Sequence, residues 1–319
     1  MNLSNKSLFA FLIFLTFSCQ NKNADIKVVS EIGTTAKPLS ISKKFLFDAS
    51  KAQTAGNADW ILDWDNAPQR FPTPASSTIT ASTTENYWNG ALSAWGIALV
   101  KLGHIVESLP SKAAITYGKN NAQDLKNYDV FIVVEPNIKF TDVEKIAILN
   151  FVKNGGGLFM IANHAGSDRN NDGYDSVAIW NDFMANNSVQ KNPFGFTINL
   201  NTFSATTSNV LNANTNPIIN GSQGKVTQLK YSAGASITSV SFANPTVQGL
   251  IWRNNSNQGN QDIMCASSTF GKGKIVVIGD SSPADDGTGN PKDKLYYGWT
   301  ELPSHSRLHL NASLWLANL

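Results

Sequence analysis

A chain of 319 residues can hold one large domain or one and a half ordinary ones, and 42% hydrophobic residues suffice for a sizeable core. Charged residues make up only 15% and the net charge is +2 at pH 7, which leaves no electrostatic case for a nucleic-acid or anionic-polymer partner. The polarity comes instead from Asn, Ser, Thr and Gly, as in many extracytoplasmic proteins.

The first residues bear on the compartment. Lys6 precedes an apolar run, Leu8 to Phe17, and then Ser18-Cys19. Residues 1–18 thus have the layout of a signal peptide, with a positive start and an apolar core too short for a permanent membrane span. Leu15-Thr16-Phe17-Ser18-Cys19 resembles the lipobox of bacterial lipoproteins. By that resemblance Cys19 is lipidated and becomes the mature N-terminus, and the protein is an outer-membrane or other cell-envelope lipoprotein touching the membrane through its anchor only. An ordinary leader cut nearby is the alternative. Residues 19–42 are polar and aperiodic and read as a flexible tether. Cys265 lies in an apolar strand pattern, so it reads as a small buried residue and no internal disulfide is expected.

Phe45-Leu46-Phe47 begins the folded part as a buried strand that ends at Asp48. The irregular stretch 49–83 is long enough to be functional or disordered, and Trp60, Trp64 and Phe71 argue against disorder. Asp59, Asp63, Asp65 and Arg70 interleave with these aromatics, which suits a sugar-like ligand; a loop stapled by its own aromatics is the competing reading. Ser82-Thr83-Thr84-Glu85 reads as a capping box. The helix expected after it carries Trp88, Leu92, Trp95, Leu99 and Leu102 on one stripe and ends at Gly103. Ile105–Leu109 and Val130–Val134 read as strands, the second ending at Glu135-Pro136-Asn137. A second capping box, Thr141 to Glu144, opens a helix through Val152 with Val143, Ile146, Phe151 and Val152 inward.

Gly155-Gly156-Gly157 then breaks the helix. Leu158–Ala162 is an apolar run suited to a strand buried on both faces. It opens into a loop holding Asn163, His164, Asp168, Arg169, Asn170, Asp172 and Asp175. A helix over Tyr174–Met184 follows. Residues 191–260 change to Asn, Thr, Ser and Gly with short alternating runs, a β-rich insertion. Ile263–Phe270 and Lys274–Ile278 read as a hairpin delivering Gly279-Asp280-Ser281-Ser282, and a helix from His305 closes the chain. The order strand, helix, strand, strand, helix, strand predicts one α/β domain over 43–319, a doubly wound, mostly parallel sheet with an antiparallel β excursion.

The strings YDVFIVVEPN, TDVEKIAILNFVKNGGGLFMIANHAG and GKGKIVVIGDSS resemble the class I glutamine amidotransferase-like superfamily, over roughly 43–190 and 262–319. The resemblance implies the flavodoxin-like sheet. In that superfamily the strand after the glycine turn leads to an elbow bearing the glutaminase cysteine, and a late strand delivers a histidine and an acid. Here the elbow is Ala162-Asn163-His164-Ala165-Gly166 and the late strand delivers Asp280-Ser281-Ser282. The departures fall on the reacting groups, so glutaminase activity is not implied. The chain looks closer to cysteine-less branches, such as trehalose-utilisation-type proteins and the trimerisation domain of some β-galactosidases. It is also similar to secreted proteins of Gram-negative bacteria that share HxxSDRNNDG and GDSSPADDG.

Asp48, Glu135, Asn163-His164 and Asp280 end four expected strands, and in a parallel sheet such ends share the edge where ligands bind. Carboxylates gathered there, with Asp168, Asp172, Asp285 and Asp286 in the loops above, repel unless a cation, Arg169 or shared protons compensate. A bound divalent cation is therefore expected. Asp168-x-Asn170-x-Asp172-Gly173 matches the first half of a calcium loop, with Asp175 substituting because Ile179 stands at the bidentate position. Oxygen-rich ligands favour calcium over zinc; a self-satisfied Asx turn is the competing reading. His164 is a candidate base, or with Asp280 a zinc ligand. Gly279-Asp280-Ser281 is similar to the GDS string of lipase-like esterases, which makes Ser281 or Ser282 a weak candidate nucleophile served by His164 or His305.

These residues imply an envelope hydrolase acting on a small molecule, a glycan or its substituents. His164, Asp280, Glu135 and Ser281 would form the catalytic group. Trp60, Trp64 and Arg169 would bind substrate, and Asp48, Asp168, Asn170, Asp172 and Asp175 would hold the cation. The alternative is a non-catalytic binding or scaffold lipoprotein with a structural calcium loop.

Overall fold

The computed structural model describes residues 41–64, 67–290, 292–293 and 296–319, so the leader, Cys19, the tether up to residue 40 and Asp65 lie outside the described residues. The chain runs β1 (Lys44–Asp48), α1 (Ser93–Lys101), β2 (Ile105–Leu109), β3 (Val130–Val134), α2 (Asp142–Lys153), β4 (Gly157–Ile161) and α3 (Ser176–Ala185). The β-rich part follows as β5 (Phe196–Ile198), β6 (Phe203–Thr207), β7 (Asn220–Gly221), β8 (Gly224–Lys225), β9 (Leu229–Gly234), β10 (Ile237–Ser239) and β11 (Gln248–Trp252). The chain ends with β12 (Ile263–Phe270), β13 (Gly273–Ile278), α4 (Gly298–Glu301) and α5 (Pro303–Leu316).

The main sheet has the order β2-β1-β3-β4-β13-β12-β10-β5, with β11 also on β12. The first five of these strands are parallel. From β12 outward the pairing is antiparallel, because Gly271 (φ 61°) turns the chain straight back from β12 into β13. The α/β sheet with its antiparallel excursion is therefore observed. β6 with β9 and β7 with β8 form two small separate pairs.

Two apolar layers flank the sheet, as expected for strands whose two faces are both covered. One face packs Phe47, Phe159 and Val276 against Trp95 of α1 and Leu308 and Ala312 of α5. The other packs Phe131, Leu158 and Val277 against Ile148 of α2 and Trp180 and Phe183 of α3. Each such side chain, fully buried, contributes about 2 kcal/mol of transfer free energy. His309 of α5 lies inside the first layer, stacked on Phe159 with centroids 5.7 Å apart. Burial pushes its pKa down to about 3, so it is neutral there.

Two sequence expectations are corrected. The Ser82–Glu85 capping box does not start a helix; α1 begins at Ser93. The intervening chain hydrogen-bonds to the long loop instead, with Gly90, Ala91 and Leu92 N–H donating to the carbonyls of Leu62, Asp59 and Ile61. Gly90 permits this approach, since a Cβ there would sit 2.3 Å from the Ile61 oxygen. Tertiary backbone bonds have displaced local helical ones. In α2 the Thr141–Glu144 capping box is present. However, Val143 is 70% exposed, and Lys145 is buried in its stead. The Lys145 ammonium reaches Asp182 at 2.7 Å and the Asn186 carbonyl at 2.7 Å, which satisfies it.

A candidate site at the carboxyl edge of the sheet

The register brings three strands level. Val134 pairs with Ile161, and Ile161 with Ile278, so Glu135, Asn163 and Asp280 leave the sheet at one edge. Asp48 ends β1 beside them. The shared rim is thus real, but each carboxylate on it has its own partners.

Glu135 is fully buried and takes φ of 41°, a left-handed backbone that costs a residue with a Cβ roughly 1–2 kcal/mol. Such strain persists only where surroundings over-determine it, often at functional sites. Here the Arg169 Nε donates to Glu135 Oε1 at 2.7 Å and the Ser281 hydroxyl to Oε2 at 2.9 Å. Arg169 Nη1 also donates to Asn57 Oδ1. A relay Ser281–Glu135–Arg169–Asn57 therefore joins four separate segments.

Asp280 accepts from the backbone N–H of Ser232 at 2.7 Å, Ala233 at 3.3 Å and Ser282 at 3.0 Å, and from the Ser282 hydroxyl at 2.8 Å. Burial raises its pKa to about 7 against the pull of these donors. Asp48 is buried too, bound by Ser50 N–H and Oγ–H and by Gln53 Nε2, and its pKa is raised by burial. Asp48 thus braces its own turn, whereas Asp280 ties β9 to the chain that follows β13.

His164 stands at the elbow, half-buried. Its Nδ1 lies 2.8 Å from the Ala165 carbonyl. With the proton on Nδ1 donated there, Nε2 carries the lone pair. The elbow is held from behind: the Ser176 hydroxyl accepts from Asn163 N–H and Asp175 Oδ2 from Gly166 N–H.

The calcium-like loop is closed by its own atoms. Asp168 accepts from Asp172 N–H at 3.1 Å and Gly173 N–H at 2.7 Å; Asp172 accepts from Tyr174 N–H and the Asn170 amide. Asp175 caps α3 through Ala178 N–H at 2.7 Å. Asn170 donates to the Asn137 carbonyl at 2.5 Å. Among the described residues no three His, Cys, Asp or Glu side chains are grouped to hold a metal ion. The Asp168, Asp172 and Asp175 carboxylates are thus bound by N–H groups of the surrounding chain, while the amide oxygens of Asn137 and Asn170 have no hydrogen-bond partner.

His164, Ser281, Asp280 and Arg169 line one cavity of about 120 Å³, together with Asn57, Asn163, Trp60, Ala233, Ser282 and Tyr296. Trp60 is 3% exposed, and its indole N–H has no hydrogen-bond acceptor. Trp64 is half-buried and lies outside this wall. His305 does not serve a serine: its Nε2 accepts from Lys230 N–H at 3.0 Å and its Nδ1 donates to the Gly298 carbonyl at 2.6 Å. The serines themselves donate to carboxylates.

Asn57, Ala233 and Tyr296 were not singled out from the sequence. Ala233 arrives because Gly234 lets β9 touch the end of β13, where a Cβ would lie 2.7 Å from the Asp280 Cβ. Tyr296 is placed by Asp285, whose Oδ2 accepts its N–H at 2.7 Å. Burial, with a smaller contribution from neighbouring Asp286, raises Asp285 to about 7, and burial raises Asp286 to about 6. Asp59 stands at about 8, raised by burial and then by Asp293, Asp285 and Asp286, while Asn290 N–H pulls it down.

No protein-family model matches the chain, and no curated protein matches it in sequence. Its fold is similar to the N-terminal domain of mmIFT52, with a TM-score of 0.50 at 15% identity over 86% of this chain and 97% of that one. Solved structures similar at lower scores include a protein described as ThuA-like from Bacteroides uniformis (TM-score 0.44, 12% identity, 89% of this chain and 95% of that one). They also include a cytoplasmic protein from Salmonella typhimurium (TM-score 0.48, 14% identity, 86% and 98%). At these identities the likeness is one of fold.

Proposed function

We propose that this chain is an exported cell-envelope lipoprotein hydrolase that removes a small acyl substituent at the carboxyl edge of its sheet. One observation carries the reading: His164, whose Nδ1 is engaged by the Ala165 carbonyl, and Trp60, whose buried indole N–H has no acceptor, line the same small polar cavity. A base and an orphaned donor are the two groups that ester hydrolysis uses.

In this reading a water oxygen attacks the acyl carbon while its proton passes to His164 Nε2. The Trp60 Nε1–H meets the oxyanion. As the intermediate collapses the C–O bond breaks, and His164 returns the proton to the departing alkoxide, giving an acid and an alcohol. The relay of Ser281, Glu135 and Arg169, with the Asp280 brace, positions the cavity walls. The test is hydrolysis of p-nitrophenyl acetate by the purified domain. His164→Ala is expected to lower kcat at least a hundredfold with an unchanged circular-dichroism spectrum. Activity retained within a few-fold would overturn the proposal. Anchoring is tested separately: Cys19→Ser is expected to move the protein out of the membrane fraction.

A second reading is the non-catalytic lipoprotein with a calcium staple. It is favoured by the amide oxygens of Asn137 and Asn170, which are buried without partners where the two residues meet. In that case calcium raises the melting temperature and a chelator reverses it; a melting temperature indifferent to both removes this reading.

A further inference from the structure

The cavity that holds His164 has about 120 Å³, too small for a whole ligand when such pockets run to roughly 300–1,000 Å³. A neighbouring cavity of about 380 Å³ shares the Ser282 and Tyr296 walls with it. We infer that this second cavity is a sugar-ring subsite, so that the hydrolase of the preceding section acts on an acylated glycan, its acyl group in the small cavity and the ring it esterifies in the larger one.

The larger cavity has the chemistry of carbohydrate recognition, a flat apolar ring flanked by paired donors and acceptors. Tyr297 supplies the ring and is 67% exposed. Its exposure is not looseness. A Cβ at Gly287 would lie 2.2 Å from the Tyr297 ring, so the glycine lets the ring rest against the backbone. Lys230 and Glu301 form an ion pair in the wall of the same cavity and offer a cation and a carboxylate to hydroxyl groups. The walls are preformed: Gly298 lies so close to Ser282 that a Cβ would sit 1.9 Å from its carbonyl oxygen. The His305 ring is fixed by bonds to Gly298 and Lys230. The two cavities complement each other: the first lacks room for a ring, and the second holds an imidazole, His305, whose two nitrogens are both already bound.

The inference rests on the hydrolase reading, and the experiment separates the two. Saturation-transfer NMR with the methyl glycosides of glucose, galactose, mannose and xylose reports ring binding without any chemistry. At least one glycoside is expected to show transfer, and Tyr297→Ala is expected to weaken it at least tenfold. Phe242→Ala, at an exposed aromatic outside both cavities, is expected to leave it unchanged. In parallel, kcat/KM for an acetylated methyl glycoside should exceed that for p-nitrophenyl acetate, and Tyr297→Ala should raise KM for the glycoside. Absence of transfer from every glycoside, or transfer indifferent to both Tyr297→Ala and Glu301→Leu, would overturn the subsite. Binding without hydrolysis of either ester would keep the subsite and discard the hydrolase.

Discussion

Two acid-rich loops border the same edge of the sheet and use their carboxylates in opposite ways. In the loop 168–175 each carboxylate is bound mainly by N–H groups a few residues away, at or near the surface. In the loop 280–286 Asp280 and Asp285 are buried and Asp286 half-buried, and all three bind backbone beyond the loop: Asp280 holds Ser232 and Ala233, Asp285 holds Tyr296, and Asp286 holds Ala94 at 2.6 Å. The first loop folds itself; the second fastens distant parts of the chain together. Composition alone does not distinguish them, because an aspartate accepts an N–H equally well from a neighbour or from a strand fifty residues away.

The comparison predicts unequal losses. Asp280→Ala removes the acceptor of the Ala233 and Ser282 N–H groups and of the Ser282 hydroxyl, and one of the two acceptors of Ser232 N–H, and is expected to cost about 3 kcal/mol or more in urea denaturation. Gly279→Ala should cost about 3 kcal/mol as well, since its Cβ would lie 1.9 Å from the Ala235 carbonyl oxygen. An intermediate effect is expected with pH. Asp59, Asp280, Asp285 and Asp286 have folded-state pKa values raised to about 8, 7, 7 and 6, chiefly by burial. A raised group binds its proton more tightly when folded, so its contribution is complete below the unfolded value near 4 and is lost as pH climbs through the folded one. Their combined effect should lower the melting temperature between about pH 4 and pH 8, and Asp59→Asn should flatten that decline. The smallest effects belong to the other loop. Asp168→Ala should cost about 1 kcal/mol. Gly173→Ala should cost about 1 kcal/mol through its φ of 92° alone, for nothing lies within 4 Å of the added Cβ. If the two aspartate variants lose equal stability, the distinction between the loops is wrong.

How much was legible follows from where the bonds run. The strands β3, β4 and β13 were readable because continuous β-branched and apolar runs, bounded by glycine at β4 and β13 and by Asp129 and Glu135-Pro136 at β3, leave few alternatives. The common edge then followed from parallel pairing, which brought Glu135, His164 and Asp280 to one rim. The Thr141–Glu144 cap was readable because it closes within four residues, whereas the cap-like string at Ser82 lost to backbone bonds that Gly90 and Leu92 donate to Leu62 and Ile61, 28 and 31 residues away. Trp60 was singled out as a ligand contact, but its orphaned indole N–H is visible only in three dimensions. Tyr296 and Ala233 were illegible because the bonds that place them start from Asp285 and Asp280, and a hydrogen bond of that span leaves no periodicity in the sequence.

The wall supplied by Ser232 and Ala233 has a kinetic consequence. These residues belong to β9 of the β6–β9 pair, while Asp280 follows the last strand, β13, so contacts across some fifty to more than a hundred residues must close before the cavity exists. Closing loops of that length is the slow part of assembling such topologies. Burial of Trp60 and Trp95 in the layers should therefore precede competence to bind, and during refolding tryptophan fluorescence should recover before any ligand signal does.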